Sequence, residues 1–469
     1  MSALRSSASS FPQLAPLALA ALAAVMAGAV LFAPPVLGDG DTWWHLATGQ
    51  WILAHGRVPD RDVFSYTMAG QPWLAQEWLS QLLMAVAFRG AGWSGVMILF
   101  ALPVALTVML LGRHLGRWLE SLPLLLAIVI AMSLLSPSLL ARPHLLALPV
   151  IELWCAGLVI ARAENRPPSP GLLLLMVLWT NLHGSFPVGL VLAALLSIEA
   201  AFADRRMAGA WFSFTLVATL TTLLNPSGIA GALFPYRLMN SGALVDIIEW
   251  QPVQLHDAPP IVPVLILLAY LLILRGFRPR FWRAVIFAGL IVEALLHVRN
   301  QMLLGIVGLL VIAPDLGRCF GVLRQRGHGE RWQGAVPAAL AVALLCGIRV
   351  GYPLQRGDDS VTPATALGHV SPALRALPVY NDAALGGYLI YAGVRPFIDG
   401  RAELYGAGFM TRYQHAITRP GPFFAEELAQ YDVRWALVGA RSAAAPLLAT
   451  LPGWTCTYRD ATSILFVRH

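Results

Sequence analysis

The chain has 469 residues, room for two or three soluble domains, yet 57% are hydrophobic and only 12% charged. Apolar runs recur along most of its length, which excludes a soluble enzyme and predicts a polytopic α-helical membrane protein. All 32 basic residues are Arg, so the net charge of +7 reflects a Lys-free composition rather than a nucleic-acid footprint, and no nucleic-acid partner is expected. Cys155, Cys319, Cys346 and Cys456 are too scattered to spell a disulfide framework or a zinc site.

In chain order, residues 12–37 form the first apolar segment. Its length and the lack of a well-placed Ala-x-Ala site favour an uncleaved anchor over a signal peptide. Further apolar segments follow at 93–112, 121–140, 144–161, 171–183, 186–202, 210–224, 260–274, 284–297, 301–316 and 335–350, giving about eleven transmembrane helices. Arginine placement tests this topology, because short cytoplasmic loops retain Arg. With the N-terminus inside, the inner loops hold fifteen Arg, among them Arg5, Arg324, Arg326 and Arg331, against six in the outer loops before residue 349. Residues 171–183 reach only about 20 Å against a hydrocarbon core of about 30 Å. Segments 171–202 and 284–316 therefore read as short hairpins whose tips, 181–185 and 297–301, lie below the outer surface.

Residues 1–350 thus form the transmembrane domain, with a first outer loop at 38–92 that carries acidic and amphipathic stretches. From 351 to 469 polar residues return. Short apolar strands at 378–380, 396–398, 434–438 and 463–467 alternate with helical stretches at 383–390, 402–416 and 442–450, the pattern of a small α/β domain outside the membrane.

Ionisable groups inside a membrane are costly and are functional candidates by default. Here they gather at the outer ends of spans: Asp39, Asp41, His45, Arg142, His144, Asn181, His183, Asn225, Glu249, His297, Arg299 and Asn300. A common outer cavity would pair them; taken singly, each could cap a helix or sit among headgroups. The sharpest motif is Gly38-Asp39-Gly40-Asp41-Thr42-Trp43-Trp44-His45, followed by Gln71-Pro72-Trp73-Leu74-Ala75-Gln76-Glu77-Trp78. Asp39 and Asp41 could share a divalent ion such as Mg or Mn, or one could serve as a base beside a charged neighbour. Alternatively Asp41 caps the helix after it and Asp39 is solvated.

These features resemble the GT-C membrane glycosyltransferases, which use polyprenyl-phosphate sugars. The segments Ala141-Arg142-Pro143-His144, Trp179-Thr180-Asn181-Leu182-His183-Gly184, Leu224-Asn225-Pro226, Glu249-Trp250 and His297-Val298-Arg299-Asn300 look like those of an uncharacterised bacterial group in that class. Gly386-Gly387-Tyr388 and Phe397-Ile398-Asp399-Gly400-Arg401 fit the same group.

The resemblance implies an inverting glycosyltransferase that moves a sugar from a polyprenyl-phosphate donor to an envelope acceptor. The site would lie on the outer face of a bacterial inner membrane, with the N-terminus cytoplasmic, the C-terminal domain periplasmic and lipids as further partners. Asp41 is the preferred base and Asp39 its neighbour. Arg142 and Arg299 would bind donor phosphate, since Arg offers a planar fork for its oxygens, with His144 and His183 as supporting donors. His45, Glu77, Asn181, Asn225, Glu249, His297 and Asn300 complete the expected pocket. Asp399 and Arg401 read as a turn or as ligand recognition. A transporter would also collect outward polar groups, but near the bilayer midplane and with internal repeats. A noncatalytic envelope assembly protein with the same fold is a further alternative.

Overall fold

The computed structural model of the protein describes residues 14–242, 244, 247–321, 334–418 and 422–469. Arg5, Arg324, Arg326 and Arg331 of the topology argument lie outside the described residues. The described residues up to 351 are mainly helical, apart from the connections at 56–77 and 240–260. Among the described residues, four helices are long and apolar enough to cross a membrane: Trp78–Leu115, Pro143–Ala163, Phe186–Ala203 and Val298–Cys319. Shorter apolar helices accompany them at Pro16–Phe32, Leu122–Ser138, Leu172–Leu182, Ile261–Ile273 and Ala335–Gly351. The protein is therefore a multi-pass membrane protein.

The first helices are α1 (Leu14–Phe32), α2 (Asp41–His55), α3 (Trp78–Leu115), α4 (Ser121–Leu135), α5 (Pro143–Ala163), α6 (Leu172–Leu182) and α7 (Phe186–Ala203). Small residues bring them together, since lipid offers little drive for helix association and close approach has to supply it. Gly112 of α3 lies against Leu19 of α1, Gly157 of α5 against Leu172 of α6, and Gly189 of α7 against the rings of Trp154 and Trp179. In α3 the path breaks at Ala91 and at Gly92, whose φ is 56°. This separates the stretch that begins at Trp78 from the span that begins at Trp93. A π-helical turn at Leu304–Gly308 interrupts the Val298–Cys319 segment, with Gly305 packed on the backbone of Ala131.

At the C-terminal end, a four-stranded sheet runs in the order β1-β2-β4-β3, from β1 (Val379–Asn381), β2 (Trp435–Gly439), β3 (Trp454–Arg459) and β4 (Ser463–Arg468). β1 and β2 are parallel, with Tyr380 opposite Ala436, and the other pairs are antiparallel. The β1-to-β2 crossover carries helices Ala383–Tyr391, Ala402–Thr418 and Phe423–Gln430.

Two strand expectations change. Residues 396–398 do not join the sheet, because their backbone is held by side chains: Asn381 bonds Phe397 N and Ile398 O, and Thr67 donates to Phe397 O. The segment 454–459, outside the expected strands, pairs with β4 as an exposed edge strand.

This C-terminal unit sits directly on the segment between α1 and α3. A Cβ on Gly387 would stand 2.1 Å from Gly40 O, and one on Gly40 would stand 2.3 Å from Ala384 O. Only glycine allows these backbones to approach so closely. Beneath them, Arg401 is fully buried and joins Asp62 of the loop at 2.7 Å to Asp399 of the C-terminal unit at 2.7 Å. The Arg401 guanidinium packs on the rings of both Phe64 and Trp73, 5.3 and 4.6 Å from their centroids, and Tyr405 donates to Asp399. Asp399 and Arg401 are thus a sealed joint between two parts of the chain rather than a surface turn.

Candidate active site

The acidic motif begins where α1 ends. Asp39 Oδ1 accepts the backbone N–H of Asp41 at 2.7 Å and so holds the turn into α2. Asp41 is the first residue of that helix. Its carboxylate does not cap the helix; it accepts the indole N–H of Trp44 at 2.9 Å through Oδ1 and turns Oδ2 to Arg142.

Arg142 reaches the acids because of its backbone. It precedes Pro143, the first residue of α5, and is held extended, as residues before proline are. Its neighbour Ala141 is tied to the acidic loop twice, donating from N to Val36 O at 2.8 Å and accepting from the Thr42 hydroxyl at 3.2 Å. The Arg142 guanidinium then lies 2.5 Å from Asp39 Oδ2 and 2.8 Å from Asp41 Oδ2, and its other Nη meets both oxygens of Glu249 at 2.9 Å. Burial pushes the Asp41 carboxyl up to about 7, against the pull of Arg142.

A second cluster adjoins the first. Glu77 stands between two imidazoles, 3.3 Å from His183 Nε2 and 3.7 Å from His45 Nε2. Ser185 N–H donates to His183 Nδ1, so the His183 proton lies on Nε2, facing Glu77. Gln81, one turn along α3 from Glu77, bonds His45 Nδ1 at 3.2 Å. Burial raises the Glu77 carboxyl to about 8 and holds His45 well below its ordinary value, so His45 is neutral. The His144 ring lies 6.1 Å from that of His183, and its Nε2 bonds Ser138 O at 2.6 Å.

Arg299 comes from the second hairpin. Its guanidinium lies over the Trp250 ring, 4.7 Å from the centroid. Glu249, Arg142, Glu77 and Asp41 all contribute to the potential at that group. Among the described residues, no carboxylate lies within ion-pair distance of it. His297 bonds Trp250 O at 2.9 Å and so fixes the platform under Arg299.

Most of the expected residues therefore converge: Asp39, Asp41, Arg142 and Glu249 in one group, Glu77, His45, His183 and His144 in the next, with Arg299 and His297 beside them. Asn181 joins through Trp78, whose indole donates to it at 2.7 Å. Two do not join. Asn225 spends its amide on its own turn, bonding Thr222 O, Gly228 O and Ser227 N. Asn300 donates to Glu293. The paired carboxylates do not frame an open metal cradle: the Arg142 guanidinium stands between them, and among the described residues no group of three or more His, Cys, Asp or Glu could hold a metal ion.

Beside Asn181 opens an apolar groove of about 650 Å³, lined by Trp78, Leu174, Val177, Leu178, Leu223 and Leu224.

Over 92% of its length the chain superposes on 70% of the archaeal oligosaccharyltransferase AglB from Archaeoglobus fulgidus, solved in complex with an inhibitory peptide and a dolichol-phosphate, with a TM-score of 0.57 at 11% identity. It also superposes on ArnT from Cupriavidus metallidurans in the apo state, over 96% of each chain, with a TM-score of 0.51 at 14% identity. Both neighbours are GT-C membrane glycosyltransferases. The chain has the GT-C fold. No protein-family model and no curated protein matches the sequence.

Within this GT-C frame, sequence reasoning missed three contributors. Gln81 was detectable, four residues from Glu77 and hence on the same helix face. Trp250 was in view only as a neighbour of Glu249. Gly400 gave no local signal, yet a Cβ there would stand 1.8 Å from Asp41 Oδ1 and 3.0 Å from Trp44 Nε1.

Proposed function

We propose that this chain is an inverting glycosyltransferase that moves a sugar from a polyprenyl-phosphate carrier to an envelope acceptor, at the outer face of a bacterial inner membrane. The observation that carries the reading is the meeting of Asp39 and Asp41 with the Arg142 guanidinium of a distant segment, with Arg299 near them over Trp250 and an apolar groove at the same end of the bundle. The GT-C fold supports it, as does the dolichol-phosphate bound by AglB.

In this reading Arg299 binds the donor phosphate, because it has no carboxylate partner among the described residues while Arg142 is engaged by three. The groove beside Asn181 takes the first isoprene units. Asp41 accepts the proton of the acceptor hydroxyl or amine as that atom attacks the anomeric carbon. The bond from that carbon to phosphate oxygen breaks, and polyprenyl phosphate leaves with the electron pair, its charge held by Arg299. Asp39 keeps the Asp41 turn in place. The excess of Arg in the loops assigned to the cytoplasm supports a periplasmic site and a periplasmic 351–469 domain.

The test is incubation of the purified protein with radiolabelled polyprenyl-phosphate sugars and envelope extract. Wild type is expected to label an acceptor and Asp41→Asn to leave it unlabelled. Transfer that survives in the Asp39→Asn, Asp41→Asn double variant would remove the acids from the chemistry.

A further inference from the structure

We infer that Arg142 is a built-in cation, its guanidinium occupying the place where the acidic motif would otherwise gather a divalent metal, so that this centre works without one. The inference rests on the function proposed for the same site and names its cofactor requirement.

Three carboxylates from two segments 208 residues apart in sequence, Asp41 and Glu249 marking the near ends, converge on this one side chain. The oxygens it takes, Asp39 Oδ2, Asp41 Oδ2 and both oxygens of Glu249, are those a hard cation would need. A metal binds such oxygens at roughly 2.0 to 2.6 Å, so it would have to stand where the guanidinium nitrogens stand. The two cations exclude each other.

Arg142 is not a mobile arm that happens to fold in. Pro143 fixes the extended backbone at residue 142, and the two bonds of Ala141 to Val36 and Thr42 fix that backbone against the acidic loop. The fork geometry then sets the relative orientation of Asp39 and Asp41, which a spherical ion would leave to the rest of the coordination shell. Arg142 is therefore a positioning residue: it aims Asp41 and offsets part of the negative charge around it, while Arg299 remains for the donor phosphate.

The experiment is a Mn²⁺ titration of EDTA-stripped protein, followed by electron paramagnetic resonance. Wild type is expected to show no saturable Mn²⁺ site up to millimolar metal. Arg142→Ala leaves three carboxylates facing one another and is expected to gain a site at least tenfold tighter, lost again when Asp39→Asn is added. Arg142→Lys retains a cation and is expected to gain none. A saturable site in wild type that Asp39→Asn abolishes would overturn the inference, as would a folded Arg142→Ala protein with no gain. Should Arg142→Ala fail to fold, the wild-type and Arg142→Lys titrations still decide. In the transfer assay, EDTA-stripped wild type is expected to keep its rate within twofold, and a rate restored only by Mg²⁺ or Mn²⁺ would count against Arg142. A wild type inactive under both conditions refutes the proposed function, while the titration still decides on Arg142.

Discussion

Two guanidinium groups each gather carboxylates from distant parts of this chain, and they differ in one respect. Arg401, with Asp62 and Asp399, has no exposed side-chain surface. Arg142 leaves 21% of its side chain exposed, and its partners Asp41 and Glu249 leave 22% and 31%. In the sealed cluster the bonds are saturated: Asp62 also accepts from Phe64 N, Ser65 N and the Ser65 hydroxyl, and Asp399 from Arg401 N and Tyr405. In the open cluster Arg142 Nε has no partner among the described residues, and close by lies Arg299, which has no carboxylate within ion-pair distance among those residues. The same chemistry makes a joint where water is shut out and, in the function proposed above, a working surface where it is not.

The comparison breaks most sharply with single substitutions. Asp41→Asn removes the proposed base and is expected to lower sugar transfer by about 10²- to 10⁴-fold with thermal unfolding in detergent unchanged. A matching loss of stability would make the open cluster another joint. Arg401→Ala leaves two buried carboxylates without a counter-charge and is expected to cost about 3 to 5 kcal/mol, read as a lowered unfolding midpoint. An unaltered midpoint would show that the joint carries no load.

Gly400→Ala tests how the two clusters communicate. The added methyl meets the Asp41 carboxylate and the Trp44 indole, so transfer is expected to fall at least tenfold while the midpoint moves little. The smallest effect is on pH dependence. With the Asp41 carboxyl pushed up to about 7, the base is protonated below that pH. The rate is then expected to rise with pH, to be half-maximal near 7 and to level off above it. A rate flat from pH 5.5 to 8.5 would remove Asp41 as the titrating base.

Much of this was legible in the sequence, for reasons that can be named. Apolar runs mark the helices because the bilayer leaves the backbone no other way to satisfy its polar groups. Asp39, Asp41, Arg142, Glu249 and Arg299 stood out as costly residues at span ends. Their division of labour was not legible. Arg142 and Arg299 look alike in sequence, and only the fold places three carboxylates on the first and a Trp ring under the second. The Arg401 joint was read as a turn or a ligand contact because its partner Asp62 lies 339 residues away. Residues 396–398 carry a strand's composition, but side chains of Asn381 and Thr67 took up the backbone groups a neighbouring strand would have used.

The wide turn at Leu304–Gly308 has a consequence for the aim of Arg299. It lies between Arg299 and Asp315, which at the other end of the same segment accepts the Arg280 backbone N–H and pairs with the Arg318 guanidinium. Each residue advances an α-helix by about 100°, so removing one residue from the bulge would swing Arg299 through about that angle while Asp315 stayed anchored. The bulge is an angular setting: a lineage can re-aim this guanidinium by a change in helix length alone, leaving the arginine itself untouched.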